Sequence, residues 1–338
     1  MNNIIKHAKM TFLAQLNPYK SVKKVYANAI NAFEANTDAK YVGIKDVNQI
    51  PTSLYQKLHV NGNYILHTLD VSSYGGRAID LQLHSPITGN CMSGSSSGTA
   101  INVFLGMNDV GIGTDGGGSV LVPAMSLNLY GFISPLIEQA HMEQFKRIST
   151  DSISFSPSIG FMTKNFEEMK QVVACAYGLD EWSIKESELV VLSDKKEKKN
   201  TCINTQKIEF PDTLGDRETL IKFLKNELIN CDFLIAYEGP IDVEGFGDSI
   251  FGHFDEYTKA IQKKAKKGLT RVANMVNATV ITVPAEELGC GWVLICESEI
   301  NKIQKMIQQA EKLIVQNDLL LTRYFSNLDM YFEKGYGN

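Results

Sequence analysis

The chain has 338 residues, 44% hydrophobic and 21% charged, an ordinary globular composition with enough apolar material for a sizeable core. A formal net charge of −5 sets up no basic field that would draw nucleic acid or an anionic membrane, and no apolar run reaches membrane-spanning length. Cys91, Cys175, Cys202, Cys231, Cys290 and Cys296 form no CxxC pair and no Cys/His spacing suited to zinc. No metal or cofactor is therefore expected, and the thiols are expected to be reduced in a cytoplasmic protein.

The first residues, MNNIIKHAKMTFLAQLN, lack a signal-peptide apolar core, and 1–40 is expected to be a helical N-terminal segment. Within 19–35, Val22, Val25, Tyr26, Ala29, Ile30 and Phe33 share one helical face, which predicts a helix there. Short apolar runs bounded by turn residues read as buried strands: 41–44, 63–66, 109–113, 189–192, 232–237, 278–283 and 291–296. Helical patterns alternate with them. Asn165 with Glu168 three residues on predicts an N-cap, followed by a helix that turns Phe166, Met169, Val172 and Val173 inward. A second helix over 301–315 carries a stripe of Ile303, Met306, Ile307, Ala310 and Ile314. The alternation predicts one layered α/β domain spanning 1–338. The lysine-rich stretches 194–200 and 259–268 read as solvated faces, and 194–206 as a surface loop.

Two Gly/Ser-rich stretches stand out: CMSGSSSGTA at 91–100 and DVGIGTDGGGSVLVPA at 109–124. The apolar runs between and after them, INVFLGM and SVLVPA, would not stay exposed in a tether, so they are not linkers. GIGTDG fits the dinucleotide-binding GxGxxG, but a β-rich run and Pro123 follow where that fingerprint needs a helix. GSSSG fits the GxSxG nucleophile elbow with Ser96 as nucleophile. That mechanism needs a downstream His. Only His141 and His253 are available, neither in a catalytic setting, and no strong strand precedes Cys91.

Taken together, SGSSSGTA and GIGTDGGGSVLVPA resemble the amidase signature family, whose pattern runs GGSSGG(S/T)A and then GTDxGGSxRxPA. In that family a serine in the second block is the nucleophile, working with a cis-peptide serine in the first block and an upstream lysine. Ser119 follows Ser95 by 24 residues, the family's spacing, so the resemblance makes Ser119 the nucleophile and Ser95 the bridging serine. The lysine sits in an (I/V)KDN-like strand end. VGIKDV at 42–47 has that form and gives Lys45 followed by Asp46; Lys20 in NPYKSV is the weaker match. SLYQKLHVNGNYILHT, residues 152–180, NCDFLIAYEGP and 271–298 resemble later family segments, so the likeness spans about 25–315. It implies a layered α/β/α fold with a central mixed sheet flanked by helices, and a cis bond before Ser95. The pattern departs at Leu121, where the family has Arg, at Ser93 and Ser97, at Asn128, and in a shortened 195–230 region that commonly helps shape the substrate pocket.

The chemistry accounts for these residue types. A serine hydroxyl needs a proton acceptor as it attacks, and a lysine amine serves only when burial keeps it neutral. Lys45 closes the apolar YVGI run, and Ser95 is placed to relay the proton of Ser119 to it. Gly116, Gly117 and Gly118 leading into Ser119 offer consecutive N–H groups for an oxyanion. The family resemblance implies that Asp115 braces that loop; Thr114 and Ser96 are expected as supporting hydroxyls, whereas His67 and His84 read as packing or surface residues. The expected function is an amidohydrolase acting on a small-molecule or peptide amide, with a homodimer or partner protein able to complete the pocket. The alternatives are an acyl- or amidotransferase using the same three residues, or an amidase-fold binding protein with impaired catalysis.

Overall fold

The structure, a computed structural model, describes residues 3–35, 38–74, 77–149, 151–179, 182, 188–199, 201–316 and 318–332. Residues 1, 2, 36 and 37 of the N-terminal segment, Asp180 and Asn200, named in the segments above, lie outside the described residues.

The chain runs α1 (Asn3–Leu16), β1 (Val22–Val25), α2 (Ala32–Ala35), β2 (Lys40–Lys45), α3 (Thr52–Gly62), β3 (Tyr64–Asp70), β4 (Ile79–His84), β5 (Cys91–Ser93) and α4 (Ser97–Phe104). It continues through β6 (Val110–Asp115), α5 (Leu121–Ser126), β7 (Tyr130–Ser134), α6 (Gln139–Met142), β8 (Arg147–Ile148), β9 (Ser154–Phe155), β10 (Ser158–Thr163) and α7 (Phe166–Tyr177). The last part holds β11 (Val191–Asp194), β12 (Gln206–Ile208), α8 (Arg217–Glu227), β13 (Phe233–Glu238), α9 (Glu256–Lys263), β14 (Ala278–Pro284), β15 (Gly291–Glu297), α10 (Ile300–Glu311) and α11 (Leu319–Tyr324).

Eleven strands form one mixed sheet in the order β1-β3-β2-β6-β10-β7-β14-β15-β13-β11-β12. β2 lies parallel to both β3 and β6, so the carboxyl ends of β2 and β6 emerge at the same edge. Both faces of the sheet are covered, and the side-chain period of two divides the strands between two cores. Along β14 and β15, Val280, Val293 and Ile295 pack with α4, α5 and α8, while Ile281, Leu294 and Cys296 pack with α3, α7 and α10. Apolar residues on both faces explain why these strands read as continuous runs rather than alternations. All six cysteines are unpaired thiols, and no helix among the described residues is long and apolar enough to cross a membrane.

Asn165 caps α7 as expected, its side chain accepting the Glu168 N–H at 2.7 Å. The 301–315 helix ends at Glu311, so Ile303, Met306, Ile307 and Ala310 are buried while Ile314 lies beyond the helix and is exposed. The expected helix over 19–35 is not formed. Val22–Val25 instead pairs antiparallel with β3, and only a short 3-10 turn (Ala27–Asn31) and the single turn α2 follow. Strand pairing at the sheet edge satisfies more backbone groups than an isolated short helix would, and it overrides the local period. Val22, Ala29 and Phe33 of the predicted face are still buried.

Candidate active site

Lys45 is the last residue of β2, and its side chain is almost completely buried. Its Nζ lies 2.7 Å from Ser95 Oγ and 3.2 Å from Thr114 Oγ1. Thr114 Oγ1 in turn donates to Gln49 Oε1 at 3.0 Å, which fixes the hydroxyl's direction. Burial lowers the Lys45 pKa to about 7; the nearby Asp115 carboxylate opposes that fall and the Arg147 guanidinium adds to it. The amine is therefore half neutral near pH 7.

Ser95 sits in the turn between β5 and α4. Gly94 makes that turn with φ 98°, and a Cβ there would lie 2.6 Å from Pro123 Cδ. The peptide preceding Ser95 is not cis: among the described residues the cis bond is Gly239–Pro240. Ser97 Oγ closes the turn by donating to Gly94 O at 2.6 Å.

Asp115 ends β6 and is fully buried. Its Oδ1 accepts the Gly118 N–H at 2.7 Å, and its Oδ2 accepts those of Val120 and Leu121 at 2.6 and 3.2 Å. Burial pushes the Asp115 carboxyl up, and these N–H bonds pull it back. The carboxylate thus gathers the 116–121 loop around itself, with Gly118 at φ 96°. One expectation changes as a result. The Gly118 N–H, expected to face an oxyanion, is bonded instead to Asp115 Oδ1. The N–H groups of Gly117 and Ser119 have no protein acceptor among the described residues.

The two Gly/Ser stretches are joined by the Ser96 N–H, which donates to Ser119 O at 3.2 Å. Lys45, Ser95, Thr114, Gly116, Gly117 and Ser119 open into one cavity of about 440 Å³. Ser96 does not face it as a nucleophile would: the residue is fully buried and its Oγ has no partner among the described residues. A short strand, β5, does precede it and a helix follows, so the strand–turn–helix order exists where the sequence showed no strong strand. Three residues were too few to register as an apolar run. His67 is buried and bonded to Asn108 at 2.8 Å, and His84 is exposed on β4.

Several lining residues carried no signal in the sequence. The β8–β9 hairpin covers the loop, with Phe155 so close that a Cβ on Gly116 would lie 2.3 Å from its ring. Gln49, Arg77, Arg147, Arg217, Lys267 and Arg271 also line the cavity. Lys267 corrects the reading of 259–268 as a wholly solvated face. Lys259, Lys263 and Lys264 are exposed, but Lys267 turns inward and donates to Gly247 O at 2.9 Å.

With this geometry in place, the family described as Amidase matches residues 85–212, a segment holding Ser95 and Ser119 but not Lys45. No curated protein matches the sequence. Among solved structures, a 6-aminohexanoate cyclic dimer hydrolase superposes with TM-score 0.63 at 12% identity, over 96% of this chain and 95% of that one. The peptide amidase of Stenotrophomonas maltophilia gives 0.60 at 12% identity, over 94% and 95%. A glutamyl-tRNA(Gln) amidotransferase chain from Thermotoga maritima gives 0.61 at 13% identity, over 92% and 93%. The protein therefore has the amidase-signature α/β fold and carries an Amidase-family segment within it.

Proposed function

We propose that the protein is an amidohydrolase that cleaves a carboxamide C–N bond through an ester on Ser119. The supporting observation is the buried Lys45 amine, with its pKa lowered to about 7 and its Nζ 2.7 Å from Ser95 Oγ. The Amidase-family segment around both serines agrees with it.

In this reading Ser119 Oγ attacks the amide carbonyl carbon. Its proton passes to Ser95 Oγ while the Ser95 proton passes to neutral Lys45, which becomes an ammonium. The oxyanion of the tetrahedral intermediate lies against the N–H groups of Gly117 and Ser119, each such donor contributing about 3 kcal/mol to the transition state. When the C–N bond breaks, the proton returns from Lys45 through Ser95 to the leaving nitrogen, so the amine departs neutral. Water then attacks the acyl-Ser119 ester, gives up a proton along the same route, and releases the acid and the free serine. An amine taking the place of that water gives acyl transfer with the same residues.

Leu121, where the family pattern has Arg, does not undermine the loop. Its side chain is buried in the core and its N–H is bonded to Asp115, so the anchor needs no guanidinium.

The test is covalent labelling by a neutral fluorophosphonate ester, read by intact-protein mass spectrometry and peptide mapping. Label on Ser119, lost in Ser119→Ala and slowed in Lys45→Ala, is the expected result. A folded Ser119→Ala protein that hydrolyses amides at the wild-type rate would sink the reading.

A further inference from the structure

The cavity above Ser119 has a charge pattern that amide hydrolysis by itself does not require. Arg77, Arg147, Arg217, Lys267 and Arg271 line it together with Lys45, and no carboxylate does among the described residues. The chain as a whole carries −5, so this cleft has the opposite sign to its own protein. Ion pairs neutralise part of the set: Arg77 meets the buried Asp248, and Arg217 Nε lies 2.7 Å from Asp151 Oδ2. Among the described residues Lys267 and Arg271 meet no carboxylate at ion-pair distance; Asp242 acts on Lys267 and Glu238, Asp212 and Asp151 act on Arg271 from farther off. Arg271 donates through Nη2 to the carbonyl oxygens of Thr213 and Gly215, and its Nε is sealed from solvent without an acceptor among the described residues. Lys267 donates to the Gly247 carbonyl, which leaves it further N–H donors. Arg147 is exposed at the rim.

Gathering like charges in a half-buried cleft is unfavourable. Burial and the neighbouring Arg217 both depress the pKa of Arg271. Burial is also the main cause lowering the pKa of Lys267, with Arg271 and Arg217 adding to it, while the Asp242 carboxylate opposes the fall at Lys267 and those of Glu238, Asp212 and Asp151 oppose it at Arg271. The fold nevertheless builds the cluster rigidly. Buried Glu238 accepts the N–H groups of Gly268, Leu269 and Thr270 and the Thr270 hydroxyl, so the short segment between Lys267 and Arg271 is pinned. The same segment closes on the catalytic loop: a Cβ on Gly117 would lie 3.5 Å from Arg271 O. A loop held this firmly beside Ser119, presenting to the cavity two cations without an ion-paired carboxylate, is arranged to meet a negative charge.

We infer that the amide substrate of Ser119 is anionic, carrying a carboxylate or phosphoryl group that docks against Lys267 and Arg271, with Arg147 attracting it at the rim. At about 440 Å³ the cavity falls in the range of small-molecule sites of roughly 300–1,000 Å³, so the substrate is a small amido acid rather than a folded protein.

This inference rests on Ser119 being the reactive serine, and the experiment separates the two. Neutral fluorophosphonate labelling of Ser119 is measured with succinate, phosphonoacetate or the uncharged succinamide as protectant. Succinate or phosphonoacetate is expected to protect at concentrations at least about tenfold lower than succinamide, the factor a charge-assisted contact provides, and to lose that advantage as salt rises. Which anion protects better distinguishes carboxylate from phosphoryl recognition. In Arg271→Met the advantage should collapse. Because Arg271 also holds the 213–215 loop, Lys267→Met and Arg147→Gln repeat the comparison in chains that keep that contact. Turnover of succinamate against succinamide gives a second readout, with the preference lying in KM rather than kcat. Labelled Ser119 that is indifferent to succinate and phosphonoacetate, or an anion advantage unchanged in all three variants, overturns the inference alone. Absence of any label on Ser119 overturns the proposed function itself.

Discussion

The buried amine of Lys45 makes the sharpest quantitative demand on solution behaviour. An ordinary lysine near pKa 10.5 is neutral about once in 3,000 molecules at pH 7, whereas a base lowered to about 7 is neutral half the time. That is roughly a thousandfold gain in competent enzyme. If Lys45 must be neutral to take the relayed proton, kcat/KM rises through an apparent pKa near 7. It falls about tenfold for each pH unit below 6 and is flat from pH 8 upward until another group titrates.

The same group has a signature in folding. Between pH 7 and 10.5 the unfolded chain holds a proton on Lys45 that the folded chain has released. Stability attributable to this residue therefore rises with pH across that window, at about 1.4 kcal/mol per pH unit. Other groups titrate there too, so the measurement is a difference. The stability of wild type minus that of Lys45→Met, from urea unfolding, should increase by about 2 kcal/mol between pH 7 and pH 9. The assays are kcat/KM on any turned-over amide from pH 5.5 to 8.5 and paired urea titrations. Parallel stability curves for the two proteins across pH 7–9, or a kcat/KM flat from pH 5.5 to 8, would refute a neutralised Lys45.

Replacing Arg147 by Gln removes a cation that holds the Lys45 pKa down, so the acid limb should move to higher pH by a few tenths of a unit, less in high salt. Ser96→Ala deletes a buried hydroxyl without a partner, so urea stability should be unchanged or raised by about 1 kcal/mol and fluorophosphonate labelling should persist; an elbow mechanism requires its loss. Asp115→Asn turns one of two accepting oxygens into an amide facing N–H donors, costing about 2–3 kcal/mol in urea unfolding and slowing Ser119 labelling. Gly118→Ala forces a side chain into φ 96° with its Cβ 2.7 Å from Val122 Cγ2, and a stability loss of about 1–3 kcal/mol should appear as a lower thermal midpoint.

What was legible in the sequence follows from how each part of the site is made. Ser95 and Ser119 sit on two tight glycine-containing turns, with Thr114 and Asp115 at the end of β6 just before the second, so each group is contiguous in sequence and the pattern shows. Lys45 was legible because a strand end is a local feature: apolar YVGI and then a charge. The duty of the Gly118 N–H was not legible, since only the fold brings the Asp115 carboxylate back over its own loop. The β1 edge was misjudged because a four-residue strand has no pattern apart from the partner it pairs with. The cations escaped for a related reason. Arg77, Arg147, Arg217, Lys267 and Arg271 are scattered along the chain, and each alone resembles a surface residue. Long side chains reach a cavity from wherever the backbone runs, so their convergence belongs to topology and leaves no spacing to read. The candidate serines and the glycines beside them are therefore written locally in this chain, whereas the cluster of cations proposed to select an anionic substrate is written only in three dimensions.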